Sequence, residues 1–70
     1  MNSPTDLLFE VASLQDNYAY LVKSRKLSKK ALCGLVIPFR DKYGLSDVQA
    51  LSIARNELSL MDICKLLRKD

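Results

Sequence analysis

The chain contains no histidine and no tryptophan. Proton transfer near neutral pH would therefore fall to a carboxylate, a lysine, a tyrosine or a cysteine with a strongly displaced pKa. Asp6 and Glu10 share a helix face at i, i+4, but both stand near a helix start, where the dipole favours negative charge. Cys33 and Cys64 are far apart in sequence, and a nucleophilic thiol has no histidine to serve as its base. There is no C-x-x-C pair and no glycine-rich phosphate loop. We therefore expect no catalytic residues, no metal ligands, no cofactor and no small-molecule substrate. Both cysteines sit in apolar stretches and are expected as buried, reduced thiols.

The charges are sorted along the chain. Residues 1–22 carry Asp6, Glu10 and Asp16 and no base. Lys23-Ser24-Arg25-Lys26-Leu27-Ser28-Lys29-Lys30 then places five bases in eight positions, within a chain of net charge +3. Lys23, Arg25, Lys26, Lys29 and Lys30 could neutralise phosphates and release counterions. No aromatic residue interleaves them, so stacking on single-stranded bases is not suggested. The plain alternative is a solvated turn whose cations complete the dipole of the preceding helix.

The segment from Phe39 to Ile53 resembles a helix-turn-helix. Tyr43-Gly44-Leu45-Ser46 fits the turn, and Phe39, Ala50 and Ile53 fall where apolar residues pack. The resemblance implies a DNA-binding transcription regulator, with Gln49, Ser52, Arg55 and Asn56 facing base edges. Two residues depart from the pattern. Arg40 stands where a small residue lets two helices cross, and Asp47 would face phosphates and repel them. Lys42-Tyr43-Gly44-Leu45-Ser46-Asp47 also looks like a stretch of the small haemolysin-modulating proteins that partner nucleoid proteins. The hairpin is similar in outline to small sporulation phosphatases that act on response regulators, but Arg55-Asn56-Glu57-Leu58-Ser59 replaces their signature. Neither likeness carries a functional residue over.

The apolar residues exceed what one face of each helix can hide. In the first helix Phe9 and Tyr20 fall off the core stripe, and the C-terminal segment is similarly rich in Leu58, Leu60, Met61, Ile63, Cys64, Leu66 and Leu67. Phe9, Tyr20, Met61 and Leu66 are the expected protein-contact anchors, because aromatic and methionine side chains are enriched at interfaces. The alternative is that they fill a compact core.

The elements that must position these residues are helical. With 70 residues, 49% of them apolar, the chain has room for one core and one domain, residues 1–70. Glycine and proline are scarce, at two each, and no alternating β-branched run occurs. The expected fold is all-α, a bundle of three to four helices, possibly paired as a dimer. The expected spans are 4–24, 29–43, 46–58 and 59–69, with the last two open to fusion. Ser3 and Pro4 should start the first helix. Leu7, Val11, Leu14, Tyr18 and Leu21 form its seam, widened by Leu8, Ala12, Ala19 and Val22. Ser28 should start the second, with Ala31, Leu32, Leu35, Val36, Phe39 and Tyr43 inward. Pro38 either kinks it or splits it, and one kinked helix ending at Gly44 is the favoured reading. Ser46 should cap the third, with Val48, Leu51, Ala54 and Leu58 as its stripe. Ser59 followed by Asp62 could cap a fourth.

The longest uncharged apolar run, Ala31 to Phe39, falls short of the roughly 20 residues a membrane span needs. No base precedes Lys23, so a secretory n-region is not expected and a cytoplasmic location is. Two functions follow as expectations. The first is a non-enzymatic regulatory or adaptor module, in transcription control for example. It would bind a protein or a second copy of itself, with no membrane among its partners. The second is the helix-turn-helix DNA regulator.

Overall fold

The heptad-like spacing of aliphatic residues appears as helix throughout the computed structural model, which describes residues 4–67. The elements are α1 (Pro4–Lys23), α2 (Lys29–Tyr43), α3 (Asp47–Ala54) and α4 (Leu60–Leu67). No strand occurs among the described residues. Helix α1 begins at Pro4 as expected. The expected cap Ser3 and the expected end of the last helix, residues 68 and 69, where Arg68 and Lys69 should close it, lie outside the described residues.

Three helices end in the same way. After α1, Lys26 N–H donates to the Leu21 carbonyl at 2.9 Å and Arg25 N–H to Val22 at 3.2 Å. After α2, Leu45 N–H reaches Arg40 at 2.9 Å and Gly44 N–H reaches Asp41 at 3.4 Å. After α3, Glu57 N–H reaches Ser52 at 2.9 Å and Asn56 N–H reaches Ile53 at 3.0 Å. Each is a Schellman closure, which needs one residue in the left-handed region. Arg25, Gly44 and Asn56 fill that position, at φ of 59°, 64° and 58°.

Helix α2 runs unbroken through Pro38. The backbone bond lost at Pro38 is that to Gly34, an exposed position where water can meet the freed carbonyl. Ser28 caps α2 by accepting from the Ala31 N–H at 3.1 Å. Ser46 and Gln49 form a reciprocal capping box at the start of α3. Ser59 accepts from the Asp62 N–H at 3.2 Å and starts α4, so the last two helices are separate. Helix α3 stops at Ala54 rather than Leu58. The Asn56 turn ends it, and Leu58 then folds inward from the connection to pack on the core.

The core joins all four helices through Val11, Leu14, Val36, Phe39, Ala50, Ile53, Ala54, Ile63 and Leu67. Burying Ile53 or Ile63 contributes about 1.5–3 kcal/mol each. Phe39 and Tyr43 stack with ring centroids 4.9 Å apart, tilted by 52°. The seam of α1 narrows relative to expectation. Val11 and Leu14 are buried, and Leu7, Tyr18 and Leu21 are half-buried, whereas Leu8, Ala12, Ala19 and Val22 are exposed. Helix α3 also turns differently. Ala50, Ile53 and Ala54 face inward, and Val48 is 74% exposed. The two alanines let the backbone of α3 approach α1 and α2 closely, which a valine stripe would prevent. Cys33 is exposed rather than buried, and Cys64 is half-buried; both are free thiols.

Candidate functional site

Helices α1 and α2 leave a groove between them of about 420 Å³. Leu14, Leu35, Pro38 and Phe39 contribute its apolar lining, and Phe9, Ser13 and Asn17 line it from α1. Glu10 and Lys42 also line it and pair across the two helices at 2.7 Å. Lys42 is held above its ordinary pKa mainly by that hydrogen bond to Glu10. Beside it, the Tyr43 hydroxyl is buried with no hydrogen-bond partner. Burial, and then the neighbouring Glu10 carboxylate, push its ionisation up.

The expected contact anchors divide. Phe9 is 77% exposed, Tyr20 59% and Met61 69%. Phe9 and Tyr20 lie eleven residues apart, close to a whole number of turns, so both project from the same outer face of α1, about 16 Å apart along its axis. Only Phe9 belongs to the groove; Tyr20 and Met61 do not line it. Leu66 is half-buried against the core and is packing material rather than a free anchor. Val48, expected in the core stripe of α3, and Leu60, expected among the surplus apolar residues but not as an anchor, are both largely exposed. Leu60 could have been found from its place beside the Ser59 cap, where a first-turn residue has no preceding turn to cover it.

The expected nucleic-acid residues also divide. Lys23, Arg25, Lys26, Lys29 and Lys30 are all exposed. None forms an ion pair with another described residue. Lys26 lies over the Tyr20 ring, 5.9 Å from its centroid. A second groove, of about 510 Å³, brings Lys23 together with Arg55 and Asn56. Gln49 and Ser52 do not line it.

Most of the side chains expected to face bases are engaged within the molecule. The Gln49 Oε1 accepts from the Ser46 N–H at 3.0 Å, and Ser52 is half-buried. Arg55 pairs with Glu57 at 3.2 Å. Gln15 Nε2 donates to Asn56 Oδ1 at 3.3 Å and to the Ile53 carbonyl at 3.2 Å. Arg40, expected to obstruct a helix crossing, instead bridges the α2–α3 junction. Its guanidinium pairs with Asp41 at 2.9 Å and also with Asp47. Those two carboxylates hold its pKa up, Asp47 the more strongly.

Among the described residues no three Cys, Asp or Glu gather as a metal site would require. No helix among them is long and apolar enough to cross a membrane. In comparisons with protein-family models, with curated proteins and with solved structures, nothing matches this chain.

Proposed function

We propose that this chain is a small non-enzymatic regulatory or adaptor module that binds a protein, or a second copy of itself, through apolar helix surface left uncovered by its bundle. The observation that carries this reading is Phe9. It stands 77% exposed at the edge of an apolar groove, on a helix whose opposite side is already buried. An aromatic ring beside a preformed apolar groove is the arrangement that interface hot spots use. Tyr20, on the same face of α1, and Met61 on α4 add further exposed apolar surface.

Phe9→Asp tests the proposal. Because the side chain is exposed, the variant should keep the wild-type helical content and thermal transition. It should lose whichever association the wild-type chain shows, a dimer in sedimentation or a protein captured by the immobilised chain. A wild-type chain that stays monomeric at high concentration, with no capture that depends on Phe9, overturns the reading.

The helix-turn-helix alternative has less support. Its cations are available, but Gln49, Arg55 and Asn56 already have partners, and two-pronged base readout through both atoms of either amide would have to give up those contacts. Absence of binding to duplex DNA at low salt would end it.

A further inference from the structure

We propose that the turn between α1 and α2 is a peripheral docking site for an anionic lipid surface. The site is the stretch from Tyr20 to Lys30 at one end of the bundle. It carries five exposed cations, none paired with a described residue. It also carries three exposed apolar side chains, Leu27 within the run of cations and Tyr20 and Val22 just before it.

The mixture decides between possible polyanions. A nucleic-acid backbone rewards cations alone, and exposed aliphatic groups add nothing to a phosphate contact. A bilayer interface rewards both. Its negative surface attracts Lys and Arg, and its headgroup layer accepts Leu, Val and the amphipathic ring of Tyr. Lys26 over the Tyr20 ring joins the two chemistries in one contact. Such a contact needs no long apolar run. It thus revises the sequence expectation that excluded membranes, which rested on the absence of a spanning segment.

Position 25 points the same way. The left-handed residue of this turn is an arginine, where glycine would be the unstrained choice. A cation therefore stands here against the local backbone preference. This site is separate from the α1–α2 groove, none of whose lining residues falls between Tyr20 and Lys30. Tyr20 is the one residue shared with the proposed protein-binding surface. Phe9→Asp, which removes the carrying residue of that surface, should leave vesicle binding intact. The Lys26, Lys29 and Lys30 substitutions should leave Phe9-dependent association intact, so the two failures are distinguishable.

The test is co-sedimentation of the chain with vesicles of phosphatidylcholine, with and without about a third phosphatidylserine, across a salt series. Binding should require phosphatidylserine and weaken steeply with salt. Neutralising Lys26, Lys29 and Lys30 together to Gln should lower the partition coefficient on the order of a hundredfold at low salt, at about fivefold per charge. Leu27→Ser, which changes no charge, should lower it about fivefold.

Because the chain has no tryptophan, Tyr20→Trp supplies a single reporter, whose emission should shift to the blue on anionic vesicles only. All these positions are exposed, and unchanged circular dichroism would show that the variants remain folded. No partitioning at low salt, or no emission shift, overturns the proposal. So does partitioning indifferent to Leu27→Ser together with displacement by duplex DNA, because the turn would then be a general polyanion surface.

Discussion

At the end of α2 the chain places Gly44 at φ 64°, and at the end of α1 it places Arg25 at φ 59°. The hydrogen bonds around the two residues are the same pair of Schellman contacts. Around Gly44 every local choice agrees with the backbone. Leu45 packs on the core, Ser46 and Gln49 close a capping box, and Arg40 ties Asp41 to Asp47. Around Arg25 the choices conflict. A residue with a Cβ takes a conformation that costs roughly 1–2 kcal/mol, and the neighbouring Leu27 stays largely exposed. Polar contacts to the backbone hold that turn instead. Ser24 Oγ donates to the Tyr20 carbonyl at 2.6 Å, and Ser28 caps the next helix. At one junction the residue types match the backbone they serve. At the other, Arg25 and Leu27 do not gain from the fold in that way.

Substitutions at these junctions can break that contrast. Gly44→Ala should cost about 1–2 kcal/mol in urea unfolding followed by circular dichroism, because alanine must enter the left-handed region. Arg25→Ala, which keeps a Cβ in the same conformation, should change stability by less than about 0.5 kcal/mol. A large loss at position 25 would show that the arginine has a folding role and would erase the distinction.

Ser46→Ala should cost about 1 kcal/mol, through the lost acceptor for the Gln49 N–H. Arg25→Gly should stabilise the fold by about 0.5 kcal/mol. Relief of strain is partly offset by the greater freedom of glycine in the unfolded chain.

The smallest expected effect is on the alkaline limb. Tyr43 and Lys42, next to Gly44, both have pKa values raised above their ordinary 10.0 and 10.5. The folded state therefore holds their protons more tightly than the unfolded chain does. Their contribution is fully present below about pH 10 and fades as pH rises through the higher folded values. Tyr43→Phe should remove the tyrosine part of that loss. It should change stability little at neutral pH, because the hydroxyl it deletes is buried with no hydrogen bond of its own beyond its approach to Glu10, a carboxylate already paired with Lys42. A clear loss of stability in this variant would mean that the hydroxyl donates a stabilising hydrogen bond to Glu10.

Much of the fold can be read from local chemistry. Ser28, Ser46 and Ser59 start helices because a hydroxyl acceptor serves amides within the next three residues, a relation contained in a few adjacent positions. Gly44 ends one for an equally local reason. Asn56 was passed over because the apolar spacing continues through Leu58 and Leu60, and a tolerated left-handed asparagine is a weaker stop signal than glycine. The candidate surfaces were less legible. Phe9, Tyr20 and Met61 stood out from the sequence as surplus apolar residues, but Val48 was assigned to the core and Leu66 to the surface. Periodicity cannot rank two apolar faces of one short helix when both carry aliphatic groups. The Glu10–Lys42 pair could not be read at all, since its partners meet only when α1 and α2 are packed.

Helix identity, most helix ends and the separation of an acidic first helix from a basic turn were determined by the sequence on its own, because each depends on residues within a few positions of one another. The side of each helix that is covered was decided only in the tertiary structure. Ala50 and Ile53 rather than Val48 face inward because the core is filled by whichever set lets three backbones approach most closely, and that comparison exists only once the helices are together. The same packing left Phe9 beside an apolar groove and the cations of the first turn in solvent, and so determined which residues remain for a partner.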